Sequence, residues 1–180
     1  MSASREFIVY TCPKGAIATQ LATYFQRSQT ECGPNTAHRY MPHCTLTGFF
    51  HDESESVPMY VDSLERSLAK VGSTRSEPVI AITALTFQPE FHYLKLESEW
   101  LLGLVREFRD RAHSNTRTDD LRLKDWLHLS LAYGFPPEQY LLLQCLAAEV
   151  IDPRSPVDWE LRFYEHHPDN AWTCHQSWKL

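Results

Sequence analysis

Apolar and polar positions along this chain repeat with two periods, and the switches between them mark out its elements. Residues 6–12 (EFIVYTC) are β-branched and aromatic, with Pro13 behind them, which predicts a strand. Residues 15–29 place Ile17, Leu21, Tyr24 and Phe25 at helical spacing. A loop rich in Cys, Gly, Pro and Asn (32–36) leads to a second strand at about 41–50. A helix is expected near 57–71, with Val57, Val61, Leu64 and Leu68 on one face, and Pro78 opens a strand running through Phe87.

The second half of the chain repeats that order. Residues 91–97 (FHYLKLE) alternate as a strand, and 99–113 form a helix on Leu101, Leu104, Val105 and Phe108. Residues 115–120 read as a polar loop, and 126–135 as a strand. Pro136 and Pro137 start a helix through about residue 150, and 157–165 and 171–178 read as closing strands. Phe7 precedes His43 by 36 residues, and Phe91 precedes His128 by 37; HCTLTGFF then follows in the first half and HLSLAYGFP in the second. The expectation is one domain over 1–180 made of duplicated halves, about 5–88 and 89–180, in an α+β or α/β layout of two related lobes.

Composition narrows the function classes. Hydrophobic residues at 43 % and charged residues at 22 % are globular values, and 180 residues can bury a sizeable core. A formal net charge of −6 argues against gripping long nucleic acid, which needs a basic face, but leaves room for a small phosphorylated ligand. No apolar stretch approaches the roughly 18–20 residues that span a membrane, and the N-terminus lacks an apolar leader core. Five cysteines, an odd number with no Cys-x-x-Cys pair, suggest neither a disulfide framework nor a zinc ribbon. A reduced, cytoplasmic monomer without a cofactor is the expectation.

With 9 His and 27 Ser/Thr, a His-x-Ser/Thr pattern arises about 1.4 times by chance, so the three that occur need context. His175-Gln176-Ser177 has no counterpart. His43-Cys44-Thr45-Leu46 and His128-Leu129-Ser130-Leu131 lie in strand-like runs at matching places in the two halves. Strand alternation puts His43, Thr45, Thr47 and Phe49 on one face, and His128, Ser130, Ala132 and Gly134 on one face of the other strand. If the halves pack about a pseudo-twofold axis, two imidazoles and two hydroxyls meet in one groove, where Thr47, Ala132 and Gly134 leave space. One neutral ring then takes a proton from water while the other, protonated, supplies the leaving oxygen. Thr45 and Ser130 donate to phosphate oxygens. Phe49 and Tyr10 are candidates to contact the substrate. Trp126 and Tyr133 are expected to pack away from His128, and Lys14, Lys95 and Arg162 are weaker candidates to meet a phosphate.

The segments PHCTLTGFF (42–50) and LHLSLAYGF (127–135) resemble the signature pair of the 2H phosphoesterase superfamily, and their wording is most similar to the phosphoesterase domain of the TULA proteins. The resemblance implies a bilobal α+β (LigT-like) fold, with two pseudo-twofold-related sheet lobes and outer helices around a central groove. It also implies metal-independent hydrolysis of 2′,3′-cyclic nucleotides, RNA ends or 2′–5′ linkages. By position, His43 and His128 would be catalytic and Thr45 and Ser130 phosphate-binding. His128 would activate water and His43 would protonate the departing 3′ oxygen, leaving a 2′-phosphate. Ubiquitin-binding, SH3 and phosphatase domains are not expected within these 180 residues, so signalling roles are not carried over.

Three rival readings remain. His166, His167, Asp169 and His175 offer ligands for a metal, although Pro168 breaks their spacing. A second reading has the groove bind a nucleotide or phosphopeptide without turning it over. Cys12 or Cys44 offers a nucleophile, with Cys44 facing away from His43.

Overall fold

A computed structural model describes residues 4–74 and 78–180. Met1 to Ala3, part of the segment read as lacking a leader core, lie outside the described residues. Among the described residues eight strands and four α-helices alternate in an α+β arrangement, and these strands pair antiparallel. β1 (Arg5–Lys14) leads into α1 (Ala16–Cys32), which Gly15 and Gly33 flank with positive φ of 74° and 86°. β2 (Cys44–Thr45), β3 (Phe50–Asp52), α2 (Val57–Thr74) and β4 (Ala81–Gln88) complete the first half. β5 (Phe91–Glu97), α3 (Glu99–Arg111), β6 (His128–Tyr133), α4 (Tyr140–Val150), β7 (Asp158–His166) and β8 (Trp172–Lys179) follow. α3 begins at the expected residue, Glu99, and the structure adds its cap: Ser98 Oγ accepts from Leu101 N at 3.1 Å.

The strands form one sheet in the order β4-β5-β6-β2-β1-β7-β8, with β3 also on β1. They do not sort by halves of the chain, since β7 and β8 extend from β1 while β4 pairs with β5. Where two sheet lobes are expected, the two groups of strands meet at a single backbone pair, Cys44 with Leu129. All four helices contribute to one core with Phe7, Val9, Leu94, Leu129 and Leu161. The alternate residues of β1, Ile8, Tyr10 and Cys12, face the other way with Tyr164.

The expected strand over 41–50 is broken. Between the pairs Tyr10–Thr45 and Phe7–Phe50, β1 advances three residues while the facing chain advances five. Leu46 N and Thr47 N both donate to Val9 O (3.0 and 3.4 Å), a bulge in which two amides share one acceptor. The break sends Thr47 inward. It is fully buried and its Oγ1 accepts from Val9 N at 3.1 Å, so it makes no room for a ligand.

His92 lies on the core face of β5, fully buried, with Phe87, Phe135 and Tyr140 at 5.0 Å between ring centroids. Among the described residues neither ring nitrogen has a hydrogen-bond partner. Burial pushes its pKa down to about 4. The folded state therefore favours the neutral ring, so this stability is held above about pH 6.5 and lost as pH falls towards 4. His92→Leu removes both orphan nitrogens at similar volume. It should raise stability at pH 7 by about 1–3 kcal/mol and lessen the acid loss below pH 6.5, as read by urea unfolding at each pH. A lower midpoint at pH 7 would show that the ring is needed where it stands.

Among the described residues no helix is long and apolar enough to cross a membrane. All five cysteines are free.

Candidate active site

The two histidine motifs stand at the junction of the sheet. Cys44 and Leu129 are paired and both fully buried, so their neighbours on either side point to the opposite face. Extending the antiparallel register by one residue each way sets His43 across from Ser130 and Thr45 across from His128. The four side chains thus form a crossed square about the Cys44–Leu129 pair, on the face opposite its buried side chains. All four line one cavity of about 600 Å³. Among the described residues neither the Thr45 nor the Ser130 hydroxyl is committed to a protein hydrogen bond.

The neighbouring strands repeat the same relation. Tyr10 pairs with Thr45 on one side, and Tyr93 with Ser130 on the other. This register matches Ile8 to Phe91, both of which line the cavity, one place away from the Phe7-to-Phe91 match read from the spacing.

Each imidazole is held in the same way. His43 Nδ1–H donates to Met41 O at 2.7 Å, and His128 Nδ1–H donates to Trp126 O at a longer 3.4 Å. A carbonyl only accepts, so each Nδ1 carries the proton and each neutral ring keeps a bare Nε2. Met41 is placed by the 3₁₀ turn before it (Thr36–Arg39). Asn35 caps that turn by accepting from Ala37 N at 2.9 Å, and His38 Nδ1 accepts from Asn35 N at 2.9 Å. Tyr10 stacks on His43 at 3.8 Å and 26°, and Trp126 stacks on His128 at 4.0 Å and 28°.

Burial pushes the pKa of His43 down to about 4, with the charge of His128 adding to the effect and the Met41 bond opposing it. His128 is lowered too, first by burial and then by Lys124, against the Trp126 bond. The first proton taken up on acidification therefore favours His128, the reverse of the roles implied by the resemblance.

Tyr10 and Phe49 line the cavity as expected. Ala132 and Gly134 do not. A bulge between the pairs Tyr93–Ser130 and His92–Ala132 leaves Leu131 as an extra residue in β6 and inverts the alternation after it. Ala132 drops into the core, packed with Cys32, Phe135 and Leu143, and Tyr133 takes the groove position. Gly134 has φ 65°, and a Cβ there would collide with Thr36 Oγ1, so its smallness serves a close approach. Trp126, expected to pack away from His128, stands two residues before it on the same face and covers its ring.

The expected basic residues are elsewhere. Arg162 is paired with Glu160 at 2.7 Å, Lys95 with Glu97 at 2.8 Å, and Lys14 with Glu160 at 3.9 Å. Instead Arg122 and Lys124 line the cavity. The alternation Leu121-Arg122-Leu123-Lys124 is their sequence signal. Tyr40, with no such signal, also lines the cavity and meets His43 at 5.9 Å.

Cys12 and Cys44 are buried, and burial pushes each thiol up to about 12, so neither supplies a thiolate near neutrality. The His-rich turn is divided among separate partners: His166 bonds Glu6 at 2.6 Å, while His175 bonds Glu165 at 2.9 Å. Asp169 accepts from Ala171 N at 3.0 Å within the turn. Among the described residues no group of three or more His, Cys, Asp or Glu side chains is placed to hold a metal ion.

No family model matches the chain. It is 28 % identical to an ecdysteroid-phosphate phosphatase of Drosophila melanogaster, over 92 % of this chain and 26 % of that protein. It is likewise 28 % identical to an ecdysteroid-phosphate phosphatase of Bombyx mori, over 98 % and 26 %. Identity to the ubiquitin-associated and SH3 domain-containing protein B of Homo sapiens is 29 %, over 90 % and 26 %. The chain spans about a quarter of the length of these curated relatives, which are consistent with the TULA-like resemblance of its motifs.

Proposed function

We propose that this protein is a metal-independent phosphodiesterase of the 2H kind that hydrolyses 2′,3′-cyclic nucleotides, or RNA ends bearing a 2′,3′-cyclic phosphate, to 2′-phosphates. The strands on either side of the Cys44–Leu129 junction act in this reading as the two lobes of that fold. The observation that carries it is the crossed square of His43, Thr45, His128 and Ser130, with both Nε2 atoms bare and both hydroxyls uncommitted. Relatives named as phosphatases support phosphoester chemistry, although those names belong to proteins about four times as long.

The residues divide the reaction between them. Neutral His43 takes a proton from water as the water oxygen bonds to phosphorus. Protonated His128 gives its proton to the 3′ oxygen as the P–O3′ bond breaks. This direction follows the order in which the two rings take up protons. Thr45 and Ser130 donate to the non-bridging oxygens as negative charge builds on them.

Purified protein incubated in chelator with 2′,3′-cyclic, 3′,5′-cyclic and 2′–5′-linked substrates should turn over the 2′,3′-cyclic compounds. Phosphorus NMR should show the 2′ ester. A 3′ ester would reverse the seating of the ribose, and preference for 2′–5′ linkages would move the substrate class. Binding with no turnover of any substrate would leave a nucleotide-binding module.

A further inference from the structure

Resting on that reading, Arg122 and Lys124 bear on the kind of substrate. Leu121 to Lys124 runs beside the broken strand after Thr45. Gly48 N donates to Arg122 O at 2.7 Å, Thr47 bridges to Leu123, and Lys124 N donates to Leu46 O at 3.0 Å. Leu121 and Leu123 pack against the core while Arg122 and Lys124 turn to the cavity. Gly48 gives the guanidinium its place, since a Cβ there would meet Arg122 Nε at 3.2 Å.

Among the described residues neither cation makes an ion pair or side-chain hydrogen bond. Asp119, whose carboxyl feels Arg122, bonds His51 instead. Glu90 is the one carboxylate among the cavity's lining residues. A cyclic phosphodiester carries a single negative charge, which one imidazolium and two hydroxyls already answer. Two further cations, in a chain of net charge −6, exceed that need. They lie alongside Leu46 and Gly48, about one to three residues past Thr45, or ~3–10 Å along the strand.

We propose that Arg122 and Lys124 form a second phosphate subsite, occupied by a phosphate on the 5′ oxygen of the ribose whose 2′,3′-cyclic phosphate is opened. Such a phosphate is either a terminal 5′-monophosphate or the linkage to a preceding nucleotide. Arg offers planar paired donors and Lys a mobile point charge, the two modes by which side chains hold phosphate.

The test compares kcat/KM for adenosine 2′,3′-cyclic phosphate, its 5′-phosphorylated form, and a dinucleotide ending in the same cyclic phosphate. At least one of the two 5′-substituted substrates should exceed the first by about tenfold or more, and the better one identifies the source of the phosphate. In the Arg122→Gln/Lys124→Gln double variant that ratio should fall to within about twofold of unity. Because the readout is a ratio, a general loss of activity divides out. Equal values in the parent protein, or a ratio unchanged in the variant, would overturn the subsite. Should no substrate turn over, the proposed function fails separately, and calorimetric titration with adenosine 5′-monophosphate still decides the subsite. Binding weakened about tenfold in the variant supports it, and equal or absent binding in both proteins rejects it.

Discussion

His43→Ala and His128→Ala are each expected to lower kcat/KM on a 2′,3′-cyclic nucleotide at least about a hundredfold, the usual contribution of a positioned acid or base. Both rings border the cavity and are only half-buried, so thermal unfolding of each variant should stay close to the parent. The double variant should be little worse than either single one, because the two rings act as one proton-transfer unit. Thr45→Ala and Ser130→Ala should cost less, about 1–3 kcal/mol each in transition-state stabilisation, as for loss of one oxyanion donor. Near-normal turnover in either histidine variant, with the fold intact, would remove the acid–base pair. Loss of equal size in all four variants would point to binding instead.

The pH dependence of kcat/KM should be a bell displaced to the acid side of neutrality. Catalysis needs one charged and one neutral ring. Below the lowered pKa of His43, about 4, both rings are charged and the base is missing. Above the lowered pKa of His128 both are neutral and the acid is missing, so activity falls as pH rises, from below the ordinary value of about 6.5. The two limbs belong to the coupled pair in the parent protein. The residual activity of His43→Ala should keep the alkaline limb and lose the acidic one, and His128→Ala should do the opposite. If the limbs are exchanged between the variants, the roles implied by the resemblance hold and the proton order in the free protein does not govern the reaction. A flat profile from pH 4 to 8 would exclude the pair altogether.

Much of this arrangement is legible in the residues alone. The α+β elements follow from runs of period 2 and 3.6, and α3 starts at Glu99, where the helical spacing of Leu101, Leu104, Val105 and Phe108 puts it. His43 and His128 stood out because the same short motif recurs at matching depth in two similar halves, and local alternation put Cys44 and Leu129 on the core side of each strand. Those are properties of neighbouring residues, which a sequence displays directly.

What the residues did not display depends on partners far along the chain. A bulge adds one residue against a particular facing strand, so Tyr133 rather than Ala132 reaches the groove only because β5 pairs as it does. Thr47 turns inward because Val9, 38 positions away, supplies the amide it accepts. The joining of two groups of strands into one sheet rests on Cys44 meeting Leu129, a pairing that no local pattern specifies. Arg122 and Lys124 enter the cavity because their segment lies along Leu46 to Gly48. The order in which the histidines take up protons has the same origin, since burial, the largest influence on both, is decided only when β1 and the turn around Met41 close over His43.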